Sequence, residues 1–143
     1  MHGDPAMDIH VEITSQPVTL KGRHEEVIMI PFSGTVTGRL FQGTVENCGV
    51  DTQILDAAGV RRLSARYMMT GTDMAGRPAR IYVENNAICT GGDVPMPFRS
   101  IPVFYTDSEA LAPILHSRRF IGEGRQEADG LHILFFDLSE TDA

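Results

Sequence analysis

From residue 8 to residue 13 apolar and polar side chains alternate without a break, Ile9, Val11 and Ile13 on one side and Asp8, His10 and Glu12 on the other. That period of two predicts a half-buried strand. Val27 to Phe32 is apolar throughout and leads into Ser-Gly-Thr-Val-Thr-Gly, so a strand covered on both faces is expected there. Gly34, Gly38 and Gly43 mark bends of the kind that curve a sheet until it closes. Further strands are expected at Thr52 to Leu55, Val60 to Thr70, Ala79 to Ala87, Phe98 to Tyr105, Phe120 to Arg125 and Leu131 to Leu138, with turns at Asp56-Ala-Ala-Gly59 and Asp129-Gly130. About eight strands is a number that closes. Only Ser108 to His116 has helical spacing: Ser108 is a capping residue, Glu109 lies in the first turn, Leu111, Ile114 and Leu115 share a face, and Pro113 limits the length. The expected fold class is all-β, a closed antiparallel β-barrel of about eight strands with one short helix.

Composition adds boundaries to this picture. The 143 residues suit one domain, 1–143, with 1–7 as a loose leader before the first strand. No apolar run approaches a membrane span, and the start lacks the basic and apolar regions of a secretory signal, so a cytoplasmic protein without a membrane partner is expected. A net charge of −7 repels phosphate backbones and argues against nucleic acid. Cys48 and Cys89 read as free thiols. His2, His10, His24, His116 and His132 show no close ligand spacing and no acidic partner at a characteristic interval, so no metal is expected. Nucleotide-binding glycine patterns and Gly-x-Ser-x-Gly are absent, and no cofactor is expected.

Candidate chemistry concentrates between Gly34 and Asn86, where strand patterns carry Asp51, Gln53, Arg66, Tyr67, Glu84, Asn85 and Asn86. Such groups are costly to bury unless they pair or meet a ligand. Asp51 and Gln53 share a face, as do Glu84 and Asn86, with Asn85 turned the other way. Arg66 and Tyr67 are adjacent, so only one of them points inward from a regular strand. Competing readings exist for each: Asp51 as a turn residue, Glu84 in an external ion pair with Arg66, and Arg99 either paired with Glu109 or binding an anionic ligand group.

The succession GTVTGRLFQGTV, GVDTQ, LSARYMMTGTD and ARIYVENNA, then P-x-F-x-T-D-S before a short helix and a G-x-G strand, resembles the DUF3237 family, also called UPF0311. The likeness covers about residues 9 to 138. It implies a closed antiparallel barrel in a family without a general biochemical role. The family's recurring polar positions match Asp51, Arg66, Tyr67, Glu84, Asn85 and Asn86. Thr52 stands where many members have tryptophan, and Ile114-Leu115-His116 stands where many have Trp-Leu-Asn, so the pocket's shape is expected to differ.

The leading functional expectation is a small-molecule-binding barrel whose carboxylates suit cofactor-independent lyase, isomerase or cyclase chemistry. Asp51 or Glu84 would accept a proton, Tyr67 or Arg66 would stabilise charge on a carbonyl oxygen, and Asn85 or Asn86 would orient the substrate, with Asp51, Glu84 and Asn86 converging on one cavity. The alternatives are a non-catalytic carrier or sensor and an accessory subunit of a partner enzyme. The apolar faces of Val27 to Phe32 and Leu131 to Leu138 predict a homodimer or higher homo-oligomer.

Overall fold

The computed structural model describes residues 3–116 and 119–140. In chain order its strands are β1 (Met7–Ile13), β2 (Val18–Lys21), β3 (Glu26–Thr37), β4 (Phe41–Leu55), β5 (Arg61–Asp73), β6 (Pro78–Cys89), β7 (Phe98–Thr106), β8 (Phe120–Glu127) and β9 (Gly130–Asp137). Each pairs antiparallel with its neighbours in the order β1-β9-β8-β7-β6-β5-β4-β3-β2, and a further β1–β3 pairing closes the sheet. β1 and β2 lie along the same side of β3, on its two halves, so the closed barrel has eight staves. Among the described strands, closure leaves only the short β2 with an unpaired edge, in place of the long open edge that would template aggregation.

β4 runs from Phe41, well before the segment expected at Thr52, because Gly43, read as a bend, lies inside the strand; Gly34 lies inside β3 and Gly38 does bend the chain between the two. At Gly43 a β-carbon would collide with the Thr70 carbonyl oxygen, and at the opposed Gly71 with that of Gln42; these glycines let two backbones approach closely. β4 advances from Val45 to Gly49 while β3 moves only from Gly34 to Phe32. This irregularity bends β4 just before Asp51 and, being two residues, leaves the inward parity of the strand unchanged.

One end of the barrel is solid. Phe41, Met69, Ile81 and Phe135 fill it, and Phe104 meets Phe120 and Phe135 edge-to-face at 5.4 and 5.1 Å. The helix α1 (Ala112–Leu115) is a single turn shorter than the expected 108–116, with Leu111 and Leu115 buried over this end. Ser108 donates to Asp73 Oδ2 at 2.6 Å and accepts the Leu111 N–H at 3.0 Å, tying the helix to the β5–β6 turn. Ala6 and Met7, read as leader, are fully buried; Ala6 N–H donates to the Phe135 carbonyl at 2.8 Å. Cys48 is exposed, Cys89 is buried, and both are free. No described helix is long and apolar enough to cross a membrane.

Candidate functional site

The opposite end of the barrel encloses a cavity of about 200 Å³. Its walls are apolar: Ile9, Val11, Ile30, Phe32, Leu63 and Ile133 come from the strands, while Val94 and Met96 reach in from the β6–β7 connection. The polar residues on this lining are Asp51, Gln53, Tyr67, Asn85 and Ser100.

Sheet register explains the set. Asp51 is paired with Ala65, and Ala65 with Asn85. Residues directly opposed on neighbouring strands share a face. Asp51, Ala65 and Asn85 therefore form one inward row, and the small Ala65 leaves room between the two polar side chains. Tyr67 follows on the same face of β5, 4% exposed, with its ring edge-on to Phe32 at 5.2 Å. Ser100 sits over Gly122, where a β-carbon would displace its hydroxyl, and the Phe98 ring covers Gly124 in the same way. The G-x-G of β8 thus makes space for two side chains of β7.

The same register corrects the expected convergence of Asp51, Glu84 and Asn86. Glu84 pairs with Arg66, and Asn86 with Ser64, on the outer wall. Glu84 Oε1 lies 3.7 Å from the Arg66 guanidinium, and its Oε2 accepts the Tyr82 hydroxyl at 3.1 Å; Asn86 Oδ1 accepts from Ser64 at 2.9 Å. Asn85, expected to face away, is the cavity residue. Arg66 is outside and Tyr67 inside. Arg99 is exposed on the outer wall opposite Glu123.

Asp51 is not a turn residue; it lies within β4. Burial raises its carboxyl pKa above the ordinary value, and a hydrogen bond from Gln53 Nε2 at 2.9 Å partly opposes that shift. Gln53 Oε1 accepts from Arg61 at 3.2 Å, and Arg61 Nε donates to the Gly92 carbonyl at 2.6 Å. A polar chain thus runs from the β6–β7 connection through Arg61 and Gln53 to Asp51. Burial also holds the Tyr67 hydroxyl far above its ordinary pKa, so it remains a neutral donor. Asn85 and Ser100 are 6% and 4% exposed, and Asn85 Oδ1 and Ser100 Oγ have no hydrogen-bond partner.

Arg61 and Ser100 are absent from the residues singled out in sequence. The parity of Leu63, Ala65 and Tyr67 extends to Arg61 and carried that signal; Ser100 had none of comparable clarity.

A closed antiparallel barrel with a polar-floored cavity at one end defines the class of this protein. Residues 1–139 match the family model described as "Protein of unknown function (DUF3237)", and the chain belongs to that family. A UPF0311 protein of Clostridium acetobutylicum is 38% identical over 101 residues, a match spanning 61% of this chain and 60% of that relative. This chain thus covers less than two thirds of that relative's length. Among solved structures, a protein of unknown function from C. acetobutylicum superposes with a TM-score of 0.73 at 28% identity, covering 93% of this chain and 96% of that one. A β-barrel-like protein from Acinetobacter baumannii gives 0.72 at 21% identity, with 93% and 92% covered, and supports the fold alone.

Proposed function

We propose that the barrel holds a small, mainly apolar molecule bearing a carbonyl or hydroxyl group, and that Asp51 exchanges a proton with it. The observation that carries this reading is the pair of buried, unpartnered polar atoms, Asn85 Oδ1 and Ser100 Oγ, on a mainly apolar cavity. Leaving such a group unsatisfied costs on the order of 1–3 kcal/mol. Two beside one cavity favour a ligand whose polar groups meet them. The volume of about 200 Å³ limits its size; an apolar cavity of about 150 Å³ takes up benzene. A single ring or a short branched chain fits.

Each pair of alternatives at the site reduces to its inward member. Asp51 is the carboxyl available for proton transfer, and its raised pKa suits a general acid or base. Tyr67 offers a neutral donor to charge developing on a carbonyl oxygen, and Asn85 orients the substrate. A lyase, isomerase or cyclase step asks for these groups. A carrier or sensor would use them for orientation without turnover.

Thermal shift with a panel of single-ring phenols, lactones and aromatic ketones tests the reading. At least one class is expected to stabilise the wild type, with Asn85→Leu weakening its binding roughly tenfold, about 1.4 kcal/mol, and Glu84→Gln leaving it intact. Indifference of the wild type to the panel, or equal loss in Glu84→Gln, overturns it. Turnover abolished by Asp51→Asn separates an enzyme from a carrier.

For a partner we propose a second copy of the chain. On the outer wall the registers line up Val18, Met29, Thr52, Ser64, Asn86 and Ile101 in one row, and Leu20, Val27, Ile54, Arg62 and Ile88 in the next. Val18, Leu20, Met29, Ile54, Ile88 and Ile101 are 38–69% exposed. The two rows carry a single charge, Arg62, on a chain of net charge −7, so two copies repel least here. The outer edge of β2 is unpaired in the sheet, and a twofold axis beside it makes two such edges antiparallel. The other expected contact, 131–138, contributes little, because its outward members Leu134 and Phe136 are buried within the chain.

A further inference from the structure

We propose that His10, His132 and Asp129 form a site for a divalent transition-metal ion of the zinc type, placed where it staples the closing seam of the barrel. His10 on β1 and His132 on β9 are direct cross-strand partners, at the junction where the first and last strands meet. Their rings stack at 4.6 Å with an interplanar angle of 8°. Both present Nε2 to Asp129 at the β8–β9 turn: His132 Nε2 lies 2.7 Å from Asp129 Oδ1, and His10 Nε2 lies 4.0 Å from Oδ2 and 2.8 Å from the Asp129 carbonyl. One ligand atom from each of the three residues falls within a 4.8 Å group.

Two imidazoles and a carboxylate are borderline ligands that suit zinc with an open fourth position. Around one zinc ion with bonds of about 2.0–2.2 Å the ligand atoms stand roughly 3.3–3.6 Å apart, so His132 Nε2 and Asp129 Oδ1, now 2.7 Å apart, part slightly while the more distant members of the 4.8 Å group close in, a movement within reach of the half-exposed His10 and exposed Asp129 side chains. Asp8 Oδ1 already lies 2.7 Å from the other ring nitrogen, His132 Nδ1. A carboxylate on the far nitrogen fixes ring orientation and directs the Nε2 lone pair to a metal. Gly130 (φ 124°) keeps the approach open; a β-carbon there would come within 3.4 Å of His10 Nε2. The neighbouring cation, Arg125, is engaged by Glu123 at 3.3 Å and lies over the Phe136 ring.

The absence of close ligand spacing among the histidines, on which no metal was expected, does not hold in three dimensions: Asp129 stands three residues before His132, and His10 and Asp129 lie 119 residues apart in the chain. The same separation gives the site its purpose, since a clip closing so long a loop removes more entropy from the unfolded chain than a short one.

Zinc chloride titrated calorimetrically into the untagged, chelator-treated full chain tests this, with melting temperature as a second readout. One saturable site per chain is expected, with a rise in melting temperature, since zinc would bind the folded state preferentially. His10→Gln and Asp129→Asn should each weaken zinc binding roughly tenfold or more and remove the thermal shift. His24→Gln should change neither. Asp129 is exposed and His10 half-exposed, so these variants should keep the fold, which the zinc-free melting temperature checks. No saturable binding, or binding in His10→Gln and Asp129→Asn equal to that of the wild type, overturns the proposal.

Discussion

Asp51 and Asn85 face one another across Ala65 on the inner wall of the barrel, because both are paired with that one residue in the sheet. Two interstrand spacings of about 4.8 Å separate their backbones, and the interval is filled by nothing larger than a methyl group. A carboxyl and an amide held apart in this way leave space for a ligand between them.

Asp51 has an energetic consequence that is independent of any ligand. Its folded pKa is raised above the unfolded value of 3.8, so between the two values the folded state binds the extra proton. Stability is therefore lost as pH rises through the folded pKa. Asp51→Asn is expected to raise the melting temperature at neutral pH, with the gain shrinking as the pH falls. Melting temperatures of both proteins across pH 3 to 8 check this; a destabilised Asp51→Asn at neutral pH contradicts it.

Ser100→Ala removes a buried hydroxyl that has no partner. In ligand-free protein the change is expected to be neutral or stabilising, by up to about 1–3 kcal/mol, the cost of an unsatisfied buried group. Urea unfolding measures it. A loss above about 1 kcal/mol would mean that the hydroxyl has a role within the fold.

The outer pair should behave differently. Arg66 is exposed and lies 3.7 Å from Glu84, and exposed pairs contribute about 0–1 kcal/mol. Glu84→Gln and Arg66→Ala should each change stability by less than about 1 kcal/mol, measured by urea unfolding.

Asp73 is expected to contribute to the loss of stability in acid. The Ser108 hydrogen bond, then the Arg77 backbone N–H, hold its carboxyl below the ordinary pKa. A depressed carboxylate pKa contributes stability that is present above 3.8 and lost as pH falls through the folded value. Ser108→Ala removes the hydrogen bonds to Asp73 and from the Leu111 N–H; it should cost about 1–3 kcal/mol and should lessen the fall in stability below pH 4. Acid unfolding of the two proteins checks both.

Light scattering at micromolar concentration is expected to give a mass near 31 kDa, twice that of the 15.7 kDa chain. Leu20→Asp and Ile101→Asp, each placing a charge on the exposed rows, should shift it toward the monomer. A wild-type monomer contradicts the proposed pairing.

The barrel was legible in the chain because alternation, glycine placement and strand count all pointed to closure. β2 was missed: Val18-Thr19-Leu20-Lys21 alternates, but four residues, all exposed, make too short a run to stand out from the turns on either side. The faces of β5 were legible, since Leu63, Ala65, Tyr67 and Met69 name the inner side. Which of Glu84 and Asn85 joins them depends on register, and the turn fixes that. Asp73 N–H donates to the Arg77 carbonyl, and Gly76 N–H to Asp73, locking a hairpin that places Ala65 beside Asn85. Read as a turn, Asp73-Met-Ala-Gly-Arg carried that information. The His10–His132 pair was not legible, because nothing local announces that the first and last strands are neighbours.

Asp51 is proposed as the proton-holding group of a ligand cavity. Carbon-detected NMR of carboxyl-labelled protein, following Asp51 through a pH titration with and without a panel compound that stabilises the fold, tests it most directly. Asp51 is expected to titrate above the ordinary carboxylate range in free protein, and its resonance to move when the compound binds, with Glu84 unmoved. An Asp51 that titrates like an exposed carboxylate and ignores the compound would contradict it.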